Sequence, residues 1–344
     1  MVTALRELLQ EGIERGVFPG AAAALLDSKG VRAQVVLGHR MLLPQRRPME
    51  PDTLFDLASL TKPLVTAALT LLLVEEGRVE LERPVSEYLP AFERKEVTVF
   101  HLLTHTSGLP AWLPLYRRLS VPEEVVPFLG RLEPVCAVGT RIVYSCLGYI
   151  LLGELLQART GQALDTLARE RLFEPLGMRE TGFCPSPTLR ERCAATESYE
   201  SAARRHAPHP PYERFEPVLC GEVHDENAHF LGGVAGNAGL FAPLGDLIRY
   251  ARCLVQGGAP LFSETIYRAL FTPVVEDGTT RRSLAWIVRE DGVCTHTGFT
   301  GTAFWWDPKR QKAALLLTNR VHPDATREGI GEFRQRFAAL AFSD

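Results

Sequence analysis

The chain has 344 residues, with 38 basic and 41 acidic side chains and a formal net charge of -3. Its basic residues are scattered along the chain, which argues against a nucleic-acid groove or an anionic-membrane face and points to a small molecule or peptide as partner. Seven cysteines (Cys136, Cys146, Cys184, Cys193, Cys220, Cys253 and Cys294) are odd in number and never spaced C-x-x-C, so neither a metal or redox pair nor a disulfide framework is expected.

The opening "MVTALRELLQEGIERG" predicts an amphipathic helix with Leu5, Leu8, Leu9 and Ile13 on one face. It lacks the basic start and apolar core of a secretory leader, so a cytoplasmic location is expected. Two strand-like runs follow, "GAAAALLDS" (20–28) and "VRAQVVLG" (31–38), joined as a hairpin around Lys29-Gly30. The apolar run Pro63 to Val74 falls short of the ~20 residues that cross a bilayer, and predicts a buried helix. Further helices are expected over 148–161, closed by Gly161, and over 163–177. Residues 184–222, rich in Pro and Arg, show little periodicity and read as an irregular cover. Strands return in "SLAWIVRE" (283–290), "TAFWWD" (302–307) and "KAALLLTN" (312–319). A last helix carries Ile330, Phe333, Phe337 and Leu340 at helical spacing.

Strands at both ends with helices between them predict an α/β (α+β) fold: an antiparallel sheet built from both termini and flanked by helices, with a mainly helical region inserted. The expected division is 1–85 with 235–344 for the sheet domain and 86–234 for the insertion. The cleft between them is the natural site.

The chemistry begins in "DLASLTKP". Ser59 and Lys62 are three apart, a spacing that on a helix brings their side chains to one face with Cβ atoms about 5–6 Å apart. A helix start favours an oxyanion at Ser59, and an apolar surround is expected to lower the Lys62 pKa and free its amine as a base. Read alone, S-x-x-K is equally a helix cap followed by a surface lysine. Downstream stand Tyr144, just before a helix, and His296-Thr297-Gly298 at the edge of the strand region. S-x-x-K followed by a second polar triplet and a K-T-G-like triplet is the signature of β-lactamases and penicillin-binding proteins.

With "TLFDLASLTK", "LLTHTSGLP", "YSCLGYILLGELL", "LFEPLGM", "LGGVAGNAGLF" and "HTGFTGTAFWWDP", the chain resembles the class C β-lactamase-type serine hydrolases, a group that also holds D-alanyl-D-alanine peptidases and esterases. The resemblance implies Ser59 as acyl-forming nucleophile, Lys62 assisting removal of its proton, and Tyr144 as general base and later acid. It implies a substrate-binding strand at His296, Thr297 and Gly298, and an oxyanion hole from the Ser59 and Phe299 N–H groups. A free tyrosine titrates near 10, so its role calls for a nearby cation, which Lys62 supplies. Where the family's second motif ends in asparagine, this chain has Cys146, a poor partner for a substrate amide.

His101 and His105 lack the glutamate of H-E-x-x-H and are read as packing or hydrogen bonding; no metal or cofactor is expected. "VHDENA" (His224 to Asn227) is read as a hydrogen-bonded turn or a pocket-lining segment, and resembles text in muropeptide amidases. The Gly-rich "GGVAGNAGL" fits neither dinucleotide nor P-loop spacing and reads as tight turns, and the absence of G-x-S-x-G counts against an α/β-hydrolase. The expected activity is hydrolysis of an ester or amide through an acyl-serine, with a small ester first because Cys146 weakens amide recognition. A cell-wall muropeptide amidase or D-amino-acid peptidase is the alternative, and a non-catalytic binding protein of the same fold is the third.

Overall fold

The computed structural model describes residues 1–205 and 217–343; His206 to Glu216, part of the Pro- and Arg-rich segment, lie outside the described residues. Helix α1 (Val2–Glu14) leads into the hairpin β1 (Gly20–Asp27) and β2 (Gly30–Met41), edged by β3 (Arg47–Pro48). After a long helical passage the chain returns as β4 (Val275–Asp277), β5 (Thr280–Arg282), β6 (Ile287–Val288), β7 (Cys294–Thr297), β8 (Ala303–Asp307) and β9 (Lys312–Thr318). These nine strands form one sheet in the order β3-β2-β1-β9-β8-β7-β6-β5-β4, antiparallel throughout. β1 and β9, from opposite ends of the chain, pair over Ala21–Asp27, so the sheet closes only when both termini are present.

Covering both faces of the sheet explains why β1 reads as a continuous apolar run instead of an alternating one. Ala21, Ala23 and Leu25 face one core with Leu316, Trp305, Leu5, Leu9, Phe333 and Phe337, so α1 and the closing helix α4 lie on that side. Ala22, Ala24 and Leu26 face the larger core, with Leu315, Leu317, Phe304 and Trp306. That core also takes the helical run from Lys62 to Glu75, α2 (Cys146–Thr160) and α3 (Leu244–Val255), before α4 (Ile330–Phe342) ends the chain. The stretch Ala58–Glu75 passes for a membrane span on length and composition, yet 83% of it is packed inside this core.

α2 follows its sequence signals closely. The Ser145 hydroxyl accepts the Gly148 N–H at 3.2 Å as N-cap, and Gly161 closes the helix in the left-handed region at φ 72. The described part of residues 184–222, expected to be irregular, instead holds a helical turn (Pro187–Arg190), a strand pair (Ala195–Ser198 with Val218–Cys220) and the helix Tyr199–Arg205. Its order comes from buried polar ties, which no hydrophobic period announces. "SLAWIVRE" is also shorter than expected: only Ile287 and Val288 pair, because the Ser283 hydroxyl accepts the Ala285 and Trp286 N–H groups in a turn.

His322 ties the strand Ala195–Ser198 to the chain just after β2. Its Nδ1 contacts Thr196 O at 2.8 Å, so this nitrogen carries the proton, and Nε2 accepts the Leu42 N–H at 2.8 Å. Burial, opposed by the Thr196 bond, lowers its pKa from 6.5 to about 4. A histidine lowered on folding stabilises in its neutral form, so the contribution is complete above pH 6.5 and is lost as pH falls toward about 4. The loss by pH 5 is about 2 kcal/mol. We expect the melting temperature of the protein to fall between pH 6.5 and 5, and His322→Gln, less stable at pH 7, to show a shallower fall in the same calorimetric scan.

Candidate active site

Ser59 sits at a backbone corner. The short strand Leu54–Asp56 ends, Ala58 takes a left-handed φ of 48, and a 3-10 turn (Ala58–Leu60) runs into a π-helical turn (Lys62–Ala67) before the α-helix Ala68–Glu75. A left-handed alanine is strained, and such strain persists only where the surroundings enforce it. Asp56 does so: its carboxylate accepts the Ala58 N–H at 2.8 Å and the His224 N–H at 2.7 Å.

Lys62 is fully buried and donates to three acceptors: Ser59 Oγ at 3.0 Å, Asn237 O at 3.0 Å and Cys146 Sγ at 3.4 Å. Three acceptors match the three hydrogens of an ammonium. Burial works against the charge, but Cys146, Tyr144 and Asp225 outweigh it and hold the Lys62 pKa above its ordinary value. The expectation of a depressed, free-amine lysine is therefore corrected: apolar helix positions surround its stem, while its head meets polar groups from three other segments. Lys62 is a donor to Ser59.

Tyr144 lies beside Lys62. Its ring centroid is 5.0 Å from Lys62 Nζ and 6.0 Å from the Arg282 guanidinium, and its ring lies 4.6 Å from that of His105, tilted by 38°. His105, at φ 61, lies between Tyr144 and Tyr149, and its Nδ1 accepts the Ser145 N–H at 3.0 Å. Burial first, then Arg282 and Lys62, push its pKa well below the ordinary value, so the ring is neutral. His101 instead caps the helix Val99–Leu103, its Nδ1 accepting the Thr98 N–H at 3.1 Å. Both histidines thus make hydrogen bonds, as the sequence suggests.

Arg282 is the residue that sequence reading missed. It is only 2% exposed, and among the described residues no carboxylate pairs with it; its Nε and Nη2 are buried without a hydrogen bond. Nothing in "TTRRSL" distinguishes it from its neighbour Arg281, whose side chain reaches Glu276.

On the opposite side, β7 ends with His296 buried and Thr297 exposed, the alternation of a strand. Gly298 is required here, because a Cβ would run into Thr302 Oγ1 and Leu57 O. Thr300 Oγ1 donates to Asp56 O at 2.7 Å and Thr302 Oγ1 to Leu57 O at 3.1 Å, tying this loop to the segment before Ser59. The Phe299 N–H lies outside any helix or strand and donates to no protein acceptor among the described residues.

All eight residues singled out from sequence converge. A cavity of about 530 Å³ is lined by Ser59, Tyr144, Cys146 and Phe299, and an adjoining one of about 500 Å³ by Ser59, Tyr144, His296, Thr297, Gly298 and Phe299, with Lys62 beneath Ser59. The first also takes Trp112, Tyr116, His224, Asp225 and Glu226, and the second Arg282, Arg320 and Arg334. "VHDENA" is therefore both a turn and a wall: Asp225 accepts the Ala228 N–H at 2.8 Å and Asn237 Nδ2 at 3.0 Å, while Asn227 holds Leu113 O and the Leu115 N–H. His224 Nε2 meets the buried Glu197 at 2.9 Å. Burial raises the Glu197 pKa, but bonds from His224, Arg205 and Ser201 hold it below the carboxylate range. Among the described residues no His/Cys/Asp/Glu cluster suited to a metal ion is found.

Residues 5–338 match the Beta-lactamase family. The chain belongs to that family. It is 28% identical to the N-acetylmuramyl-L-alanine amidase of Bacillus subtilis (strain 168), covering 92% of this chain and 80% of that one. It is 30% identical to a putative D-alanyl-D-alanine carboxypeptidase of Escherichia coli (strain K12), covering 82% and 72%. A class C beta-lactamase structure superposes over 99% of this chain and 95% of that one, with a TM-score of 0.79 at 20% identity. The resemblance carried by the motifs is borne out, and with it the antiparallel, helix-flanked α/β fold.

If Lys62 and Tyr144 serve one proton transfer, their losses are non-additive. Tyr144→Phe alone is expected to cost about a hundredfold or more in acylation rate, and less than tenfold in a Lys62→Ala background. Stopped-flow acylation by a nitrophenyl ester measures both, and full additivity would show that the two act separately.

Proposed function

We propose that the protein hydrolyses an amide through an acyl-Ser59 intermediate, with an amino acid or short peptide bearing a free carboxylate as leaving group. Ser59 Oγ attacks the carbonyl carbon while Tyr144 takes its proton. The Ser59 and Phe299 N–H groups hold the resulting oxyanion. Collapse breaks the C–N bond, and Tyr144 returns the proton to the departing amine. Water then attacks the acyl-enzyme by the reverse of these transfers, releasing the acid and Ser59. Positive charge from Lys62 and Arg282, at 5.0 and 6.0 Å from the Tyr144 ring centroid, offsets the negative charge on its oxygen during transfer.

The observation that carries this reading is the buried Arg282. A desolvated guanidinium without an anion is costly, and a carboxylate on the leaving group compensates it where a neutral ester leaves it bare. The opposite wall, with Trp112 and Tyr116 beside Asp225 and Glu226, offers aromatic faces and polar groups of the kind that a sugar or peptide uses. The amidase and carboxypeptidase relatives support the same class, a cell-wall peptide fragment. Intact-mass spectrometry after mixing with a muropeptide, with amino-acid analysis of the released product, tests it. Ser59→Ala is expected to abolish release. Arg282→Met is expected to lower kcat/KM on the muropeptide ten- to hundredfold, in line with about 1.5–3 kcal/mol for a charged hydrogen bond, and to change a nitrophenyl ester far less. Equal losses on both substrates would remove the leaving-group carboxylate.

Cys146 favours a second reading, cleavage of a small ester. Lys62 donates to its sulfur, and burial raises the thiol pKa, so a neutral thiol stands where the family motif has an amide. Cys146→Asn, adding one or two hydrogen bonds at about 0.5–1.5 kcal/mol each, is expected to raise acylation by a penicillin-like amide between two- and a hundredfold and to leave ester cleavage nearly unchanged. An unchanged β-lactam rate in a folded variant would show that Cys146 does not set the preference.

A further inference from the structure

The loop after β7 is held by two arginines at the edge of the second cavity. Arg334, on α4, donates from Nη2 to Gly298 O at 2.6 Å and to Thr302 O at 2.8 Å. Gly298 O also accepts the Gly301 N–H at 3.1 Å, and Thr302 O accepts the Gly298 N–H at 2.8 Å. One guanidinium nitrogen therefore bridges both ends of the 298–302 turn. Arg320 adds a second clamp one peptide further on, with Nε donating to Phe299 O at 3.0 Å.

Among the described residues neither arginine pairs with a carboxylate; their hydrogen bonds go to backbone carbonyls. α4 is fixed against the sheet by its neighbours: Phe333 packs edge-on against Phe18 at 4.9 Å and Phe337 lies 5.4 Å from Trp305. Arg334, next to Phe333, is delivered to the loop by a rigid helix.

The carbonyl of Gly298 and the N–H of Phe299 belong to one planar peptide unit. A charge-assisted hydrogen bond to the carbonyl draws electron density toward oxygen and makes the N–H of the same unit a stronger donor. It also fixes the plane in which that N–H points. We infer that Arg334 is a positioning residue that orients and polarises the Gly298–Phe299 peptide for the oxyanion of the reacting carbonyl. The inference rests on the reading of Ser59 as nucleophile. It assigns to the C-terminal helix a part in the reaction that needs no contact with substrate.

The test uses the full chain as wild type, Arg334→Met and Arg334→Lys, with active sites counted by a serine-reactive phosphonate. A neutral nitrophenyl ester reports acylation, and phenylboronic acid, which forms a tetrahedral adduct on serine, reports binding of the oxyanion geometry. Removing a whole oxyanion donor costs about 10²–10³ in rate, so weakening one is expected to cost on the order of tenfold. Arg334→Met is expected to slow acylation by that factor per titrated site with KM within about twofold, to weaken boronic-acid binding in parallel, and to move the acyl-enzyme ester carbonyl stretch to higher wavenumber. Arg334→Lys is expected to recover most of each change. A rate loss with an unmoved carbonyl stretch, a change confined to KM, or an unchanged acylation rate each overturns the inference. Phosphonate found away from Ser59 in the wild type overturns the underlying reading of the nucleophile, a separate outcome.

Discussion

A buried ammonium needs three acceptors, and much of the site's construction follows from meeting that need at Lys62. An unpaired charge at that depth costs several kcal/mol, so the acceptors are a condition of folding as well as of chemistry. They come from separate places: Ser59 from the preceding turn, Cys146 from the start of α2, and the Asn237 carbonyl from the Gly-rich run. The carbonyl reaches Lys62 because its run lies directly on α2. A Cβ at Gly236 would collide with Tyr149 O, and Thr66 fixes the run by donating to Gly236 O at 2.7 Å. Those glycines serve close approach, so a lysine and a glycine 174 positions apart answer to one constraint.

The second constraint is the junction between sheet and helices. Ser59 belongs to the helical side and Phe299 to the sheet side, yet the proposed oxyanion site requires their N–H groups at a fixed separation. Thr300 and Thr302 bind the carbonyls of Asp56 and Leu57, while Asp56 binds the Ala58 and His224 N–H groups. The strained Ala58 is thus set by the same few bonds that locate the loop after β7. Removing any one of them loosens two walls of the cleft together.

Much of this was legible in the chain. The apolar faces of α1 and α4, the cap signals of α2 and the strands at both ends follow from periodicity and glycine placement. Ser59, Lys62, Tyr144 and the His296–Phe299 stretch carry motif spacing specific enough to be found before any geometry. What escaped has a common physical cause. Arg282, Asp56 and Glu197 act through burial and through partners distant in sequence, and no local pattern separates a buried arginine from the half-buried one beside it. The protonation of Lys62 was misjudged for the same reason: the apolar neighbours along its own helix are visible in sequence, and the acceptors from other segments are not. The described part of residues 184–222 reads as irregular in sequence because polar ties such as Glu197 with His224 and Arg205, which have no period, help to order it.

The charge distribution about Ser59 adds a last step. On one side stand Arg282, Arg320 and Arg334, none paired with a carboxylate among the described residues; on the other, Asp225 and Glu226 share a wall with Trp112, Tyr116, Arg117 and Arg205, and Arg205 pairs with Glu226 at 3.1 Å. Two of the three arginines are committed to carbonyls of the loop and spend their hydrogen bonds on geometry, whereas Arg282 has Nε and Nη2 uncommitted. Exposed surface charges would be screened within about 8–10 Å at physiological salt, but these lie in or beside a cleft walled by protein, where screening is weaker. Ser59 lines both cavities and so lies where the two sets of groups meet. The proposed amide reading therefore rests on Arg282, whose uncommitted nitrogens stand near a Cys146 thiol that is itself a poor partner for a substrate amide.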